Sequence, residues 1–295
     1  MRANSISEYL SIIEKLKTNY TYAMPLAPNA IFGEQTYKPH FIFRGHSNNE
    51  KYQLLPGVFR EKKMASGGTI TQFSQLEFNI LNDFISEACK YVKDIPVDNV
   101  PAWLEVAQHF GVPTRLLDFT ENPLVALYFA CIDCPADDAS VWIINEPAYN
   151  QKFHKINWIV PAKDSNIIIK QIVENQIINL GVQPKPVDNN GNIQFPWIYK
   201  PNYYEERMNL QSSIFMIWGT RRSPLNAFVD EKDIMLDENV DNQRNGILAK
   251  IIIPSNKKSE VLEQLNLCGV NEKTIYPGLD GIGRYVREKY SAKGY

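Results

Sequence analysis

Leu116-Leu117-Asp118-Phe119-Thr120-Glu121-Asn122-Pro123-Leu124-Val125-Ala126-Leu127-Tyr128-Phe129-Ala130-Cys131 is the most apolar stretch of the chain. Its polar residues fall where one element must give way to the next. Leu116 to Phe119 predicts a buried strand, and Asn122-Pro123 predicts a helix start, with Asn as the cap and Pro at the first helical position. Leu124 to Cys131 then predicts a helix buried on all sides. A strand feeding a buried helix needs a sheet beneath it, and the rest of the chain supplies the strands. His40-Phe41-Ile42-Phe43 is a short apolar run ending at Arg44-Gly45, and Val141 to Ile144, Ser213 to Trp218 and Leu248 to Ile253 read the same way. Tyr52 to Leu55 reads as a further extended piece closed by Pro56-Gly57.

Helices alternate with these strands irregularly. Residues 5 to 20 repeat apolar side chains at helical spacing behind a Ser5-x-x-Glu8 capping box, and a loop follows as far as Lys38. Thr71 to Tyr91, Pro101 to Phe110, residues 165 to 180, Ser259 to Leu267 and Gly281 to Tyr290 are the other expected helices. Gln183 to Asn192, rich in Pro and Asn, reads as an exposed loop. Without regular βαβα alternation the expected class is α+β, with a mixed or antiparallel central sheet flanked by helices. We expect an N-terminal helix and lead-in over 1–38 and one domain over 39–290, with a less typical insert at about 150–200.

Composition bounds the function. The 295 residues carry a net charge of −2, so no global basic field points to a nucleic-acid coat. The longest apolar run, Pro123 to Ile132, is about half the roughly 20 residues of a membrane-spanning helix, so no membrane association is expected. The N-terminus lacks a secretory pattern and the four cysteines need no disulfides, which leads us to expect a cytoplasmic protein. Cys131-x-x-Cys134 has no second pair, so no metal site is expected. No phosphate-binding loop, dinucleotide glycine fingerprint or nucleophile elbow is present. The basic spots Arg60–Lys63, Arg221-Arg222 and Lys257-Lys258 read as solvated surface that could touch phosphates.

Three clusters can carry chemistry. In Phe43-Arg44-Gly45-His46-Ser47, an Arg beside an apolar strand must face a carboxylate or an anionic ligand, and Gly45 would let a ligand or a backbone approach. Between Gln108 and Pro123, His109, Arg115, Asp118 and Thr120 crowd two apolar elements and need polar partners. The third, Arg207-x-x-x-Gln211, leads into a strand.

In this order, together with Tyr52-x-Leu54-x-Pro56 and Tyr276-Pro277-Gly278-Leu279-Asp280-Gly281, the clusters resemble the FRG-domain family of bacterial and phage proteins, named for the tripeptide that stands here as Phe43-Arg44-Gly45. There is a more distant resemblance to ADP-ribosyltransferases. These place an Arg or a His on the first core strand, a Ser or Thr strand leading into a helix, and a later strand that begins with a catalytic Glu. That resemblance implies an enzyme using NAD as substrate, such as a toxin or antiphage effector acting on protein or nucleic acid. Arg44 and Gly45, with Arg115 and Arg207, would hold the nucleotide. Thr120 would orient the nicotinamide ribose, Tyr128 would stack on nicotinamide, and Gln211 would stand where the Glu is expected. Gln carries no charge, so Asp118, Glu205 or Glu206 would have to supply the anion. Two alternatives follow from the residues themselves. One is a non-catalytic nucleotide- or nucleic-acid-binding module using the Arg44, Arg115 and Arg207 face. The other is a hydrolase or nuclease with His46 and His109 as general acid and base and Asp118 as their orienter.

Overall fold

In the computed structural model the described residues are 1–25, 34–60, 70–156, 162–173, 194–201, 206–238 and 246–291. The strands are β1 (Tyr22–Pro25), β2 (Glu34–Tyr37), β3 (Phe41–His46), β4 (Leu116–Thr120), β5 (Ala139–Asn145), β6 (Trp197–Tyr199), β7 (Ser213–Ile217) and β8 (Leu248–Ile253). The helices are α1 (Ile6–Asn19), α2 (Gly57–Arg60), α3 (Ile70–Ala88), α4 (Val100–His109), α5 (Pro123–Cys131), α6 (Glu146–His154), α7 (Ala162–Val173), α8 (Glu206–Leu210), α9 (Lys258–Leu267), α10 (Glu272–Ile275) and α11 (Leu279–Ser291).

Six strands form one sheet in the order β6-β7-β4-β3-β5-β8, with every neighbouring pair antiparallel. The class is α+β, as expected. Both faces of the sheet are covered, which is why its strands read as continuous apolar runs instead of alternating ones. On one face α1, α5 and α9 pack against Phe41, Phe43, Val141, Ile143, Ala249 and Ile251. On the other, Tyr149 and Phe153 of α6 meet Ile42, Ile144, Met216 and Leu248. A third core packs α3, α4 and α7 against Leu116, Phe215 and Ile217.

One joint in the sheet differs from the rest. β3 pairs with β5 along its whole length, from Phe41↔Asn145 to His46↔Ser140, and β4 pairs with β7 from Leu116↔Ile217 to Thr120↔Ser213. Between β3 and β4 a single pair is in register, Phe43↔Thr120. Beyond it the two strands part, leaving Arg44 to His46 on one lip and Leu116 to Phe119 on the other. Parted strands expose backbone polar groups that need other partners, and the Arg44 guanidinium meets one of them.

Several expectations need correction. Arg44 and Gly45 lie inside β3, not at its end. Tyr52 to Leu55 is not a strand: Leu55 N–H turns back onto the Gln53 carbonyl (2.8 Å), and the buried Leu54 and Leu55 anchor the turn. The lead-in to Lys38 contains the β1–β2 ribbon, paired from Tyr22↔Tyr37 to Pro25↔Glu34. The helix expected over 165 to 180 is described as Ala162–Val173, and the loop expected over 183–192 lies outside the described residues. α6 and β6 had no clear sequence signal, because α6 buries polar residues such as Asn150 and His154 where apolar ones would set a period. The Lys257-Lys258 spot is not solvated surface. Lys258 is 2% exposed and its ammonium donates to the carbonyls of Ser47 (2.9 Å), Asp133 (2.7 Å), Cys134 (2.8 Å) and Asp137 (3.2 Å).

Candidate functional site

Where β3 and β4 part, the surface opens into a cleft of about 450 Å³, within the size range of small-molecule sites. Eight of the ten sequence candidates line it: Arg44, Gly45, His46, His109, Asp118, Thr120, Arg207 and Gln211. Arg115 and Tyr128 do not.

Arg44 bridges the gap in the sheet. Its Nη1 donates to the Asp118 carbonyl oxygen (2.6 Å) and lies 3.8 Å from Asp118 Oδ2, while its Nε donates to His46 Nε2 (3.2 Å). The guanidinium is largely buried, and desolvation lowers its pKa to about 10, partly opposed by Asp118, so it stays charged at neutral pH. The Asp118 side chain is 49% exposed, so this is not a solvent-free pair. A relay fixes Asp118 from behind. Leu116 N–H donates to Thr114 Oγ1 (3.1 Å), whose hydroxyl donates to Gln108 Oε1 (2.6 Å), and Gln108 Nε2 donates to Asp118 Oδ2 (2.6 Å). Gln108 opens the second sequence cluster, yet its role was missed. The signal was its position in the last turn of the helix that precedes the strand carrying Asp118.

The sheet brings the three clusters together because β7, β4 and β3 are adjacent. Thr120 Oγ1 donates to the Gln211 carbonyl oxygen (2.6 Å) and accepts from Asn122 N–H (2.9 Å), so it locks strand to helix and joins two clusters. The Asn122 side chain caps α5 by accepting from Leu124 N–H (3.0 Å). Gln211 Nε2 donates to the Ile275 carbonyl oxygen (3.1 Å). Arg207, on the single turn of α8, stacks on Tyr276 at 4.4 Å. Tyr276 thus supports the Arg207 wall of the cleft from outside its lining.

Gly45 lines the cleft and also admits the close approach of a backbone. A Cβ there would overlap the Ala126 carbonyl oxygen and lie 2.6 Å from Ala130 N, so the glycine lets α5 settle directly onto β3. That contact sets the phase of α5: Phe129, on the same face as Ala126 and Ala130, lines the cleft, whereas Tyr128 is turned into the core. Phe129 is therefore the ring that α5 turns to the cleft, in place of the expected Tyr128.

Arg115 is also elsewhere. It is 1% exposed, and its Nε (2.7 Å) and Nη2 (2.5 Å) donate to the two oxygens of Glu77 while Nη1 donates to the Trp218 carbonyl (3.1 Å). The fork holds α3 to the sheet. The third guanidinium of the cleft belongs to Arg60, at the end of α2. Of the residues proposed to replace a catalytic Glu, Asp118 faces the cleft, Glu206 is exposed away from its lining, and Glu205 lies outside the described residues.

His46 does not suit acid–base work near neutral pH. Burial, then the neighbouring Arg44, Arg60 and Lys250, lower its pKa to about 3. With Nε2 accepting from Arg44, the neutral ring carries its proton on Nδ1. His109 reaches the cleft from the end of α4, edge-on to Phe110 at 4.9 Å. Among the described residues no cluster of His, Cys, Asp or Glu could hold a metal ion, and no helix is long and apolar enough to cross a membrane.

The lip of the cleft that carries Arg44, its floor at Asp118 and Thr120, and helix α5 fall within one known domain. Residues 39–139 match the FRG domain. The match covers β3, β4 and α5 and ends as β5 begins, so Arg207 and Gln211 reach the cleft from sequence beyond the matched segment. No curated protein and no solved structure matches the chain.

Proposed function

We propose that the cleft binds an anionic nucleotide of the NAD class and that the chain is an ADP-ribosyltransferase-like enzyme in which Asp118 supplies the negative charge that Gln211 lacks. The observation that carries this reading is the Arg44 guanidinium, exposed on its cleft side beside a half-exposed carboxylate, with Arg60 and Arg207 on the other walls. Guanidinium forks suit the oxygens of a diphosphate. The Phe129 ring offers a stacking surface for nicotinamide, and the adjacency of β3, β4 and β7 is what the resemblance to ADP-ribosyltransferases requires.

In the reaction the bond between ribose C1′ and the nicotinamide nitrogen breaks, and its electron pair leaves with neutral nicotinamide. An acceptor nucleophile forms the new bond to C1′ and passes its proton to Asp118. A carboxylate about 4 Å from the developing cation stabilises it by about 4 kcal/mol at an effective dielectric of 20, on the order of a thousandfold in rate. The test is release of labelled nicotinamide. Wild type should release it, Asp118→Asn should lose about a thousandfold in rate, and Arg44→Ala should lose NAD binding. Absence of both binding and release from the wild type refutes the reading.

One observation favours a second reading. The Gln211 amide is engaged with the Ile275 carbonyl and carries no charge. A binding module would show saturable NAD binding without nicotinamide release, indifferent to Asp118→Asn.

A further inference from the structure

We propose a binding site for single-stranded nucleic acid beside the cleft, along a strip of guanidinium groups and aromatic rings that begins at Arg60 and would present the strand to the cleft as the acceptor. The acceptor role rests on the function proposed above, whereas the binding itself does not.

Arg60 stands between two hollows. It lines the 450 Å³ cleft and also a shallower hollow of about 380 Å³ whose floor is formed by Gly57, Gly111, Val112 and Pro113. Gln108 lies in both walls as well, so these two side chains form the partition between the hollows. Phe110, the residue before Gly111 of the second hollow, is 61% exposed, an uncommon setting for so large an apolar ring. On the other side of Arg60 the preceding residue, Phe59, lies under the Arg222 guanidinium at 5.5 Å, and the next guanidinium, Arg221, covers Phe195 at 4.8 Å. The two segments are tied together where Leu225 N–H donates to the Leu54 carbonyl oxygen (2.9 Å).

The electrostatics are local. Burial, then Arg115, lowers the Arg222 pKa to about 10 against the opposing pull of Glu77, so this guanidinium stays charged at neutral pH. Among the described residues neither Arg60 nor Arg221 has a carboxylate within ion-pair distance. In a chain of net charge −2 these guanidinium groups form a strip of one sign that the overall charge conceals. Planar donors for backbone phosphates beside the exposed Phe110 ring, a face for an unstacked base, are the two elements of single-strand recognition. Phe59 and Phe195, packed on the core, hold the Arg222 and Arg221 guanidinium groups in place. An acidic peptide would use the guanidinium groups and leave the exposed ring without a role.

The experiment is fluorescence anisotropy of a labelled 12-nucleotide single strand with the full chain at several salt concentrations, alongside calorimetric titration of NAD. Three phosphate contacts give a slope of about −2 in log affinity against log salt, at about −0.7 per contact. Arg221→Ala should reduce that slope by about 0.7. Phe110→Ala should weaken binding about tenfold with the slope unchanged. Both residues lie outside the cleft lining, so NAD binding should be unaltered in either variant. Salt-insensitive binding, or binding indifferent to both substitutions, overturns the proposal. Displacement of the strand by polyglutamate as readily as by unlabelled strand overturns it in favour of a protein partner. Strand binding with the expected variant pattern but without NAD binding upholds the strip and removes the function proposed for the cleft.

Discussion

Replacing Arg115 by Ala leaves Glu77, 3% exposed in its side chain, without the fork that neutralises it, and leaves the Trp218 carbonyl without its donor. A charge at that depth that loses its bidentate partner costs about 3–5 kcal/mol, and the pull of Arg222 on Glu77 offsets part of it. At about 2.1 cal/mol/K per residue, the 295-residue chain has an unfolding entropy near 0.6 kcal/mol/K, so a loss of about 4 kcal/mol lowers the melting temperature by about 6 °C. Glu77→Gln should cost a similar amount by stranding the guanidinium instead. Removing both charges in Arg115→Met/Glu77→Leu should recover more than half of the loss, because a buried pair roughly breaks even against apolar side chains of similar volume. Denaturant unfolding of the two single variants and the double variant, with NAD titrated into each, is the assay. NAD affinity should be retained in the double variant, since the pair lies outside the cleft. A double variant as unstable as the weaker single one, or single losses below about 1 kcal/mol, would refute the account of this arginine as a tie between α3 and the sheet.

Gly45→Ala should destabilise the chain by about 2 kcal/mol and weaken NAD binding, because α5 must move off β3 and carry Phe129 with it; melting and calorimetry report the two effects. His46 should remain neutral above about pH 4 in an NMR titration. Its folded pKa lies below the unfolded value near 6.5, so the unfolded chain binds the extra proton. Stability should therefore fall by up to about 1.4 kcal/mol per unit as pH drops from 6.5 towards 3, and this dependence should shrink in His46→Asn. Glu146 behaves oppositely: burial, then Glu121, raises its pKa to about 7, so its contribution is intact below pH 4.5 and is lost as pH rises to 7. Glu146→Gln, which keeps an oxygen for Asn150, should melt higher than wild type at pH 8 and close to it at pH 4.

The sequence made β3, β4, β5, β7, β8 and α5 legible because burial on both sides produces unbroken apolar runs, and because Asn122-Pro123 is a start signal that depends on no tertiary context. It could not separate Arg44 from Arg115. Both stand beside apolar strands with acids elsewhere in the chain, and only the placement of Glu77 on α3 decides which guanidinium is internal. The same limit applies to Tyr128 and Phe129, consecutive on one helix. The phase is set by Ala126 and Ala130 against Gly45, a contact between elements about 80 residues apart.

What unites the site is the interrupted joint between β3 and β4. A sheet paired along its whole length there would satisfy the Asp118 carbonyl from the neighbouring strand and leave no space for a ligand. With only Phe43↔Thr120 in register, the Arg44 side chain takes over that acceptor, and the cleft is the gap that remains. Arg44 is then both a structural bridge and the charge offered to a ligand, so its removal should be felt twice. Arg44→Lys separates the two roles, since lysine keeps the positive charge but cannot reproduce a fork that donates to the Asp118 carbonyl and to His46 at once. Its loss in melting temperature should approach that of Arg44→Ala, while its NAD affinity should fall between those of Arg44→Ala and wild type. Equal NAD affinities for the Lys and Ala variants would mean that the guanidinium only holds the strands, and that the ligand takes its charge from Arg60 and Arg207.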